Sequence, residues 1–265
     1  MRKLFPTESI FQIFSLLVAF ILIHALYVAL IRPNAEVFVV EERAKMAIDS
    51  SYEIKQSPYV IVRDYEQETC FVLMLWALAI IGFKTTRTYR QRRQLDLDLV
   101  GIPEDTPVTF ESAQQTSALI RKRLPEQHHD YLLPRVMLAA IDRFSATRSI
   151  QDASNVVQTV CVSEAERLDS DLSIIRYIAW AIPAIGFIGT VRGIGNALAQ
   201  AHQAIQGDIT GVTDSLGVAF NSTFIALLIS IVLMFLVHQL QSMQEKFVLD
   251  TQRYCDDWFV RRLKV

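Results

Sequence analysis

The sequence predicts an all-α membrane protein with four transmembrane helices, a helical cytoplasmic domain and long helices extending into the cytoplasm. Three observations predict it. Mean hydropathy is positive, +0.26, although 20% of the 265 residues are charged, so charge must be segregated from the apolar runs. Residues 10–31 and 216–237 contain no Asp, Glu, Lys or Arg, and each run meets the length of about 20 residues that a helix needs to cross a hydrocarbon core. Lys and Arg crowd alternate ends of the apolar runs, the bias that orients membrane helices.

The first span occupies residues 1–31. Arg2-Lys3 ahead of it also suits a secretory leader, but the run exceeds the usual apolar core of a leader and no small-residue cleavage site follows. Residues 32–68 form an acidic external segment, with Glu36, Glu41, Glu42, Asp49, Glu53, Asp64, Glu66 and Glu68. The second span, residues 69–84, is short unless Tyr65 and the Lys84 stem extend it by snorkelling. Lys84, Arg87, Arg90, Arg92 and Arg93 at its exit, and Arg253, Arg261, Arg262 and Lys264 after the fourth span, mark the cytoplasmic side. Both termini then lie in the cytoplasm.

Residues 85–173 are the cytoplasmic helical domain, broken at residues 101–107 (GIPEDTP), at Leu124-Pro125 and at Pro134. Ser149-x-x-Asp152 is a capping box that opens a helix. From there Ala153, Val156, Val157, Val160, Ala165, Leu168, Leu172 and Ile175 recur at three- and four-residue spacing without a proline before Pro183. A helix from residue 150 to 201 would be about 75 Å long, so the third span, residues 174–201, starts deep in the cytoplasm. A polar turn (202–214), the fourth span (215–240) and a short tail (241–265) complete the chain.

A net charge of −2 and the lack of basic stretches interleaved with aromatics argue against nucleic acid as a partner. Cys70, Cys161 and Cys255 have no CxxC or Cys/His spacing and read as apolar filler, and His128-His129 lacks a third ligand, so no metal is expected. Neither a nucleophile–base pair nor a phosphate loop appears, so no enzyme and no cofactor is expected. A solute transporter fits poorly without broken helices or an inverted repeat.

The last two spans form an antiparallel hairpin whose turn is centred near Gln206-Gly207. Residues equidistant from the turn share a depth, which pairs Thr190 with Thr223 and sets Gly189 against Phe224, Gly193 against Phe220 and Gly186 against Leu227. Pro183, Gly186, Thr190, Gly193 and Ala197 make one small-residue face, and Ala219, Ser222, Thr223, Ala226 and Ser230 make another. Such faces let helices approach closely and let hydroxyls bond across; a lining of hydroxyls also suits an ion. The interiors of these spans hold no carboxylate, so a proton carrier would come from another chain, on a helix lodged against the hydroxyl face. Arg192, near the outer end of the third span, either snorkels to the interface or serves as a counter-charge to Asp214, Asp208 or a partner carboxylate. His24 reads as a neutral imidazole bonded to a neighbouring helix. Trp258-Phe259 with Arg261 and Arg262 is an interfacial anchor or the amphipathic end of the last helix.

The segment Pro183-Ala-Ile-Gly186-Phe-Ile-Gly189-Thr190-Val-Arg-Gly193-Ile resembles the P-x-x-G-x-x-G-T-V-x-G-I/M signature of the TolQ/ExbB/MotA family. Ala219-Phe-Asn-Ser-Thr223-Phe-Ile-Ala-Leu227 is similar to the family's A-L-x-x-T-x-x-G-L. Ala226 stands in place of the family glycine, Val232 near a family proline and Val218 near a family glutamate, with Asp214 the nearest acid. The resemblance covers residues 150–240 well and the N-terminal half in outline; four spans with an early pair resemble MotA, although the external segment is longer. It implies a homopentamer in the bilayer of a bacterial inner membrane, around a dimer of a single-span TolR-, ExbD- or MotB-like partner. The partner's membrane aspartate would carry H+, or alternatively Na+, and drive rotation. Thr190, Thr223, Ser222 and Asn221 would then belong to the ion pathway, and Pro183, Gly186, Gly189, Gly193, Ala219 and Ala226 to helix packing at the pore. A non-conducting scaffold that keeps the family fold is the alternative.

Overall fold

The computed structural model describes residues 7–48, 57–96, 108–123 and 130–264. Arg2-Lys3, the breaks expected at 101–107 and Leu124-Pro125, and His128-His129 lie outside them. The chain is all-α, and among the described residues four helices are long and apolar enough to cross a membrane: Glu8–Met46, Tyr65–Leu95, Ile150–Ala199 and Thr210–Arg262. It divides into two compact units, residues 1–81 with 174–237 and residues 82–173 with 238–265.

In the first unit, α1 (Thr7–Leu26) runs through a π-helical turn, Tyr27–Ile31, into α2 (Arg32–Ile48). The first helix therefore continues far into the acidic segment. Pro33 has no N–H and its ring crowds the preceding turn. The helix accommodates it by widening that turn, with Arg32 N–H bonded five residues back to Tyr27 O and Asn34 Nδ2 bonded to Leu30 O at 2.7 Å. A short α3 (Pro58–Val62) precedes α4 (Tyr65–Arg92), then come α8 (Ser173–Ala199), α9 (Ala201–Ile205) and α10 (Thr210–Tyr254). Gly207, at φ 98°, makes the turn that an L side chain would resist.

Large apolar side chains of this unit face outward, among them Phe14, Trp180, Phe187, Phe220, Phe224 and Phe235, while Gln67, Glu68 and Ser222 are buried. Pro183 sits inside α8 and deprives the Ala179 carbonyl of its helical donor. Ser230 of α10 supplies one, its hydroxyl donating to Ala179 O at 3.0 Å.

The second unit holds α5 (Phe110–Arg123), α6 (Leu132–Thr147) and α7 (Ile150–Asp171). Val136, Met137, Ile141 and Phe144 of α6 pack in one core with Ala153, Val157 and Cys161 of α7, Ile120 of α5 and Phe247 of α10. Arg148 ends α6 in a left-handed conformation, its N–H bonded to Phe144 O at 2.9 Å and its guanidinium 4.2 Å from the Phe110 ring centre. Ser149 then caps α7, accepting the Asp152 N–H at 3.2 Å. The helix from Ile150 runs on into the third span as far as Ala199. It tightens at Leu172, whose N–H bonds Asp169 O three residues back, and continues as α8 from Ser173.

Lys84 does not snorkel outward: it is buried, 3.6 Å from Asp171. Glu164 is buried between Arg135 (2.5 Å) and Arg167 (3.1 Å). A two-residue parallel ladder, β1 (Val108–Thr109) on β2 (Leu263–Lys264), is a small exception to the helical prediction.

Candidate functional site

The hairpin of α8 and α10 brings the two threonines together. Thr190 and Thr223 are hydrogen-bonded through their hydroxyls. Thr190 also reaches Ala219 O (3.1 Å) and Gly186 O (3.4 Å), and Thr223 reaches Gly186 O (3.1 Å). Each hydroxyl carries one hydrogen, so two hydrogens serve four acceptor contacts, and either threonine can be the donor between them.

The neighbours of the glycines correct the pairing by depth. A Cβ on Gly186 would stand 2.5 Å from Ala226 Cβ, one on Gly189 2.5 Å from Ser222 Cβ, and one on Gly193 2.7 Å from Ala219 Cβ. Small residues meet small residues. Phe220, Phe224 and Leu227, expected opposite the glycines, point outward instead. Distance from the turn sets depth but not azimuth, and the aromatic side chains turn outward while the glycine face of α8 closes on the alanine and serine face of α10. Pro183 is half-buried on the same helix.

Ser222 and Asn221 diverge. The Ser222 hydroxyl donates to Val218 O (2.8 Å) and accepts from Gln67 Nε2 of α4 (3.4 Å), next to the threonine pair. Asn221 faces another way, into a cavity of about 270 Å³ lined also by Val39, Glu42, Arg43, Val60 and Asp214.

Arg192 and Asp214, considered as partners for each other, are each engaged elsewhere. Arg192 donates through Nε and Nη2 to Glu66 at 2.7 and 2.8 Å and lies 4.0 Å from Asp64. Asp214 accepts from Arg43 of α2 at 2.7 Å. His24 bonds a neighbouring helix, its Nδ1 2.7 Å from Glu68 Oε1. Arg32 pairs with the other oxygen of Glu68 and stacks 4.4 Å over the Tyr65 ring centre. Burial raises the Asp64 carboxyl above its ordinary range, against the pull of Arg63 and Arg192.

Residues 64–68 were absent from the sequence-based site because they read as the end of an acidic surface segment. The available signal was the long acidic run meeting an apolar one with Arg32, His24 and Arg192 on other helices. Glu66 approaches the hairpin closely: its Cγ lies 3.2 Å from where a Gly189 Cβ would stand. One acidic side chain of the chain itself, Glu66, therefore touches the small-residue face with its stem, although no carboxylate lies in the interiors of the third and fourth spans. Among the described residues no group of His, Cys, Asp and Glu is placed to hold a metal ion.

No curated protein and no solved structure matches the chain. Residues 128–253 match the MotA/TolQ/ExbB proton channel family, a span that contains Thr190 and Thr223 but not α1 to α5.

Proposed function

We propose, from the premise that residues 128–253 form a domain of this proton channel family, that the chain is the ion-conducting subunit of an inner-membrane motor complex. The observation that carries the reading is the Thr190–Thr223 hydroxyl pair, joined between the glycine face of α8 and the alanine and serine face of α10. The assembly is a pentamer around a single-span partner dimer whose membrane aspartate meets this face. Protons moving down the membrane potential release about 2.3 kcal/mol per charge per 100 mV, and several of them bias a rotational cycle. H+ is the assigned ion and Na+ the alternative. The Lys/Arg bias supports cytoplasmic termini.

One observation favours a second reading, a non-conducting scaffold. Both threonine hydroxyls have acceptors on the facing helices, Gly186 O and Ala219 O, as packing alone requires.

The test is proton uptake by liposomes containing the chain co-expressed with its single-span partner, for wild type, Thr190→Ala and Thr223→Ala. Flux that needs the partner and disappears in either assembled variant supports conduction. An intact complex without flux, or flux unchanged in both variants, supports the scaffold.

A further inference from the structure

The ion path cannot end at the threonines, because a proton must first reach them from the outer side. Three groups form a polar file from that side inward. Glu66 lies at the start of α4, held by both donors of the Arg192 fork. Its stem and the Ser222 side chain converge on Gly189, with Ser222 Oγ 2.7 Å and Glu66 Cγ 3.2 Å from the same point. Gln67, next along α4 and 0% exposed, donates to Ser222, and Ser222 adjoins Thr223. The Gln67 Oε1 atom is buried without a hydrogen-bond partner, an acceptor open to a proton donor in the middle of the file.

We propose that the second span supplies the outer half of the ion path, with the Glu66 carboxylate taking up the proton and water along Gln67 and Ser222 carrying it to the Thr190–Thr223 pair. The inference rests on the proton-conducting reading and adds to it a carrier from this chain, outside the matched residues 128–253. The charged and titratable groups around Glu66 are Arg192 from α8, Asp64 just before α4 and Cys70 one turn further along α4; Arg63 acts on Asp64, and Arg32 and His24 from the first helix are held by Glu68.

The step balances with O–H bonds alone. A hydronium at the outer side gives its proton to a Glu66 oxygen, which gives up its bond from Arg192. The guanidinium remains compensated, since Asp64 is 4.0 Å away. The carboxyl then releases the proton to water in the file, and the carboxylate recaptures Arg192.

The experiment is proton flux per assembled complex in liposomes, with the single-span partner present and assembly read by size exclusion. Glu66→Gln keeps the shape and removes the titrating oxygen, and lowers flux by roughly 100-fold. If Arg192, left unpaired, prevents assembly, the double variant Glu66→Gln, Arg192→Gln removes both charges and carries the same expectation. Arg121→Gln, which breaks an exposed pair with Asp142 in the second unit, conducts as wild type. Flux at the wild-type rate in assembled Glu66→Gln, or in the double variant, overturns the proposal by reducing the pair to a structural tie. If Thr190→Ala and Thr223→Ala abolish that flux at the same time, conduction stands and only the outer relay falls. A silent wild-type complex overturns both.

Discussion

In the second unit Phe144, Met137 and Ile141 are buried in a shared core and Arg121, Asp142 and Arg143 lie outside it. In the first unit Phe187, Phe224 and Trp180 point outward and Gln67, Glu68 and Ser222 are buried. The two units share one chain and almost one secondary-structure type, yet their inside and outside are exchanged. Water drives apolar side chains together in the second. Lipid gives no such drive in the first, where close contact of small residues, hydroxyl bonds and ion pairs hold the helices. Hence the first unit spends its glycines at contacts and the second spends its phenylalanines there.

Substituting the same residue type in both units is the strongest way to break the comparison. Phe144→Ala is expected to destabilise the second unit by about 3–5 kcal/mol, read by denaturant unfolding in detergent. Phe187→Ala and Phe224→Ala are expected to stay within about 0.5 kcal/mol. A large loss at either outward phenylalanine would place it under a neighbouring subunit rather than lipid.

Adding one methyl group reverses the asymmetry. Gly186→Ala would set its Cβ against Ala226 Cβ with Ser222 O and Thr223 Cα behind it, at 2.5, 3.1 and 3.2 Å, and is expected to cost about 1–3 kcal/mol. Gly217→Ala, with nothing within 4 Å, should be neutral or slightly stabilising by thermal unfolding of the detergent-solubilised protein. Equal effects would mean that the glycine face does not hold α8 to α10. Ser230→Ala leaves the Ala179 carbonyl without its donor and is expected to cost about 1 kcal/mol in the same assay; no change would show that another donor takes its place.

The smallest effect at neutral pH concerns the thiols of the second unit. Burial pushes Cys161 up to about 11 from 9.0, and Cys255 rises for the same reason. A folded-state value above the unfolded one gives stability that is intact below pH 9.0 and lost as pH rises through about 11. Maleimide should leave both thiols unlabelled in the native protein at pH 7, and Cys161→Ala should flatten the alkaline limb of the stability profile. Rapid native labelling would mean that this core opens.

Much of this was legible in the sequence. Charge-free runs report membrane helices because every residue of a span faces lipid or another span, so no polar residue interrupts the pattern cheaply. The Ser149 cap was legible because it depends on four consecutive residues, and the Thr190–Thr223 pair because two helices joined by a short turn keep a common depth. The facing of Gly189 was not legible, since counting from a turn leaves rotation about each helix free. Nor was the burial of Glu68 or the half-burial of Glu66: their own segment reads as polar surface, and Arg192, Arg32 and His24 are far from them in sequence.

The sequence by itself determined which segments are long and apolar enough to cross a membrane, the small-residue faces and the depth at which the two threonines meet. These follow from local composition and the fixed rise of a helix. Only the tertiary structure decided that glycine meets alanine and serine, that Arg192 takes Glu66 and not Asp214, and that Gln67 touches Ser222. Each of those depends on the rotation of one helix against another, which packing sets and no single segment encodes.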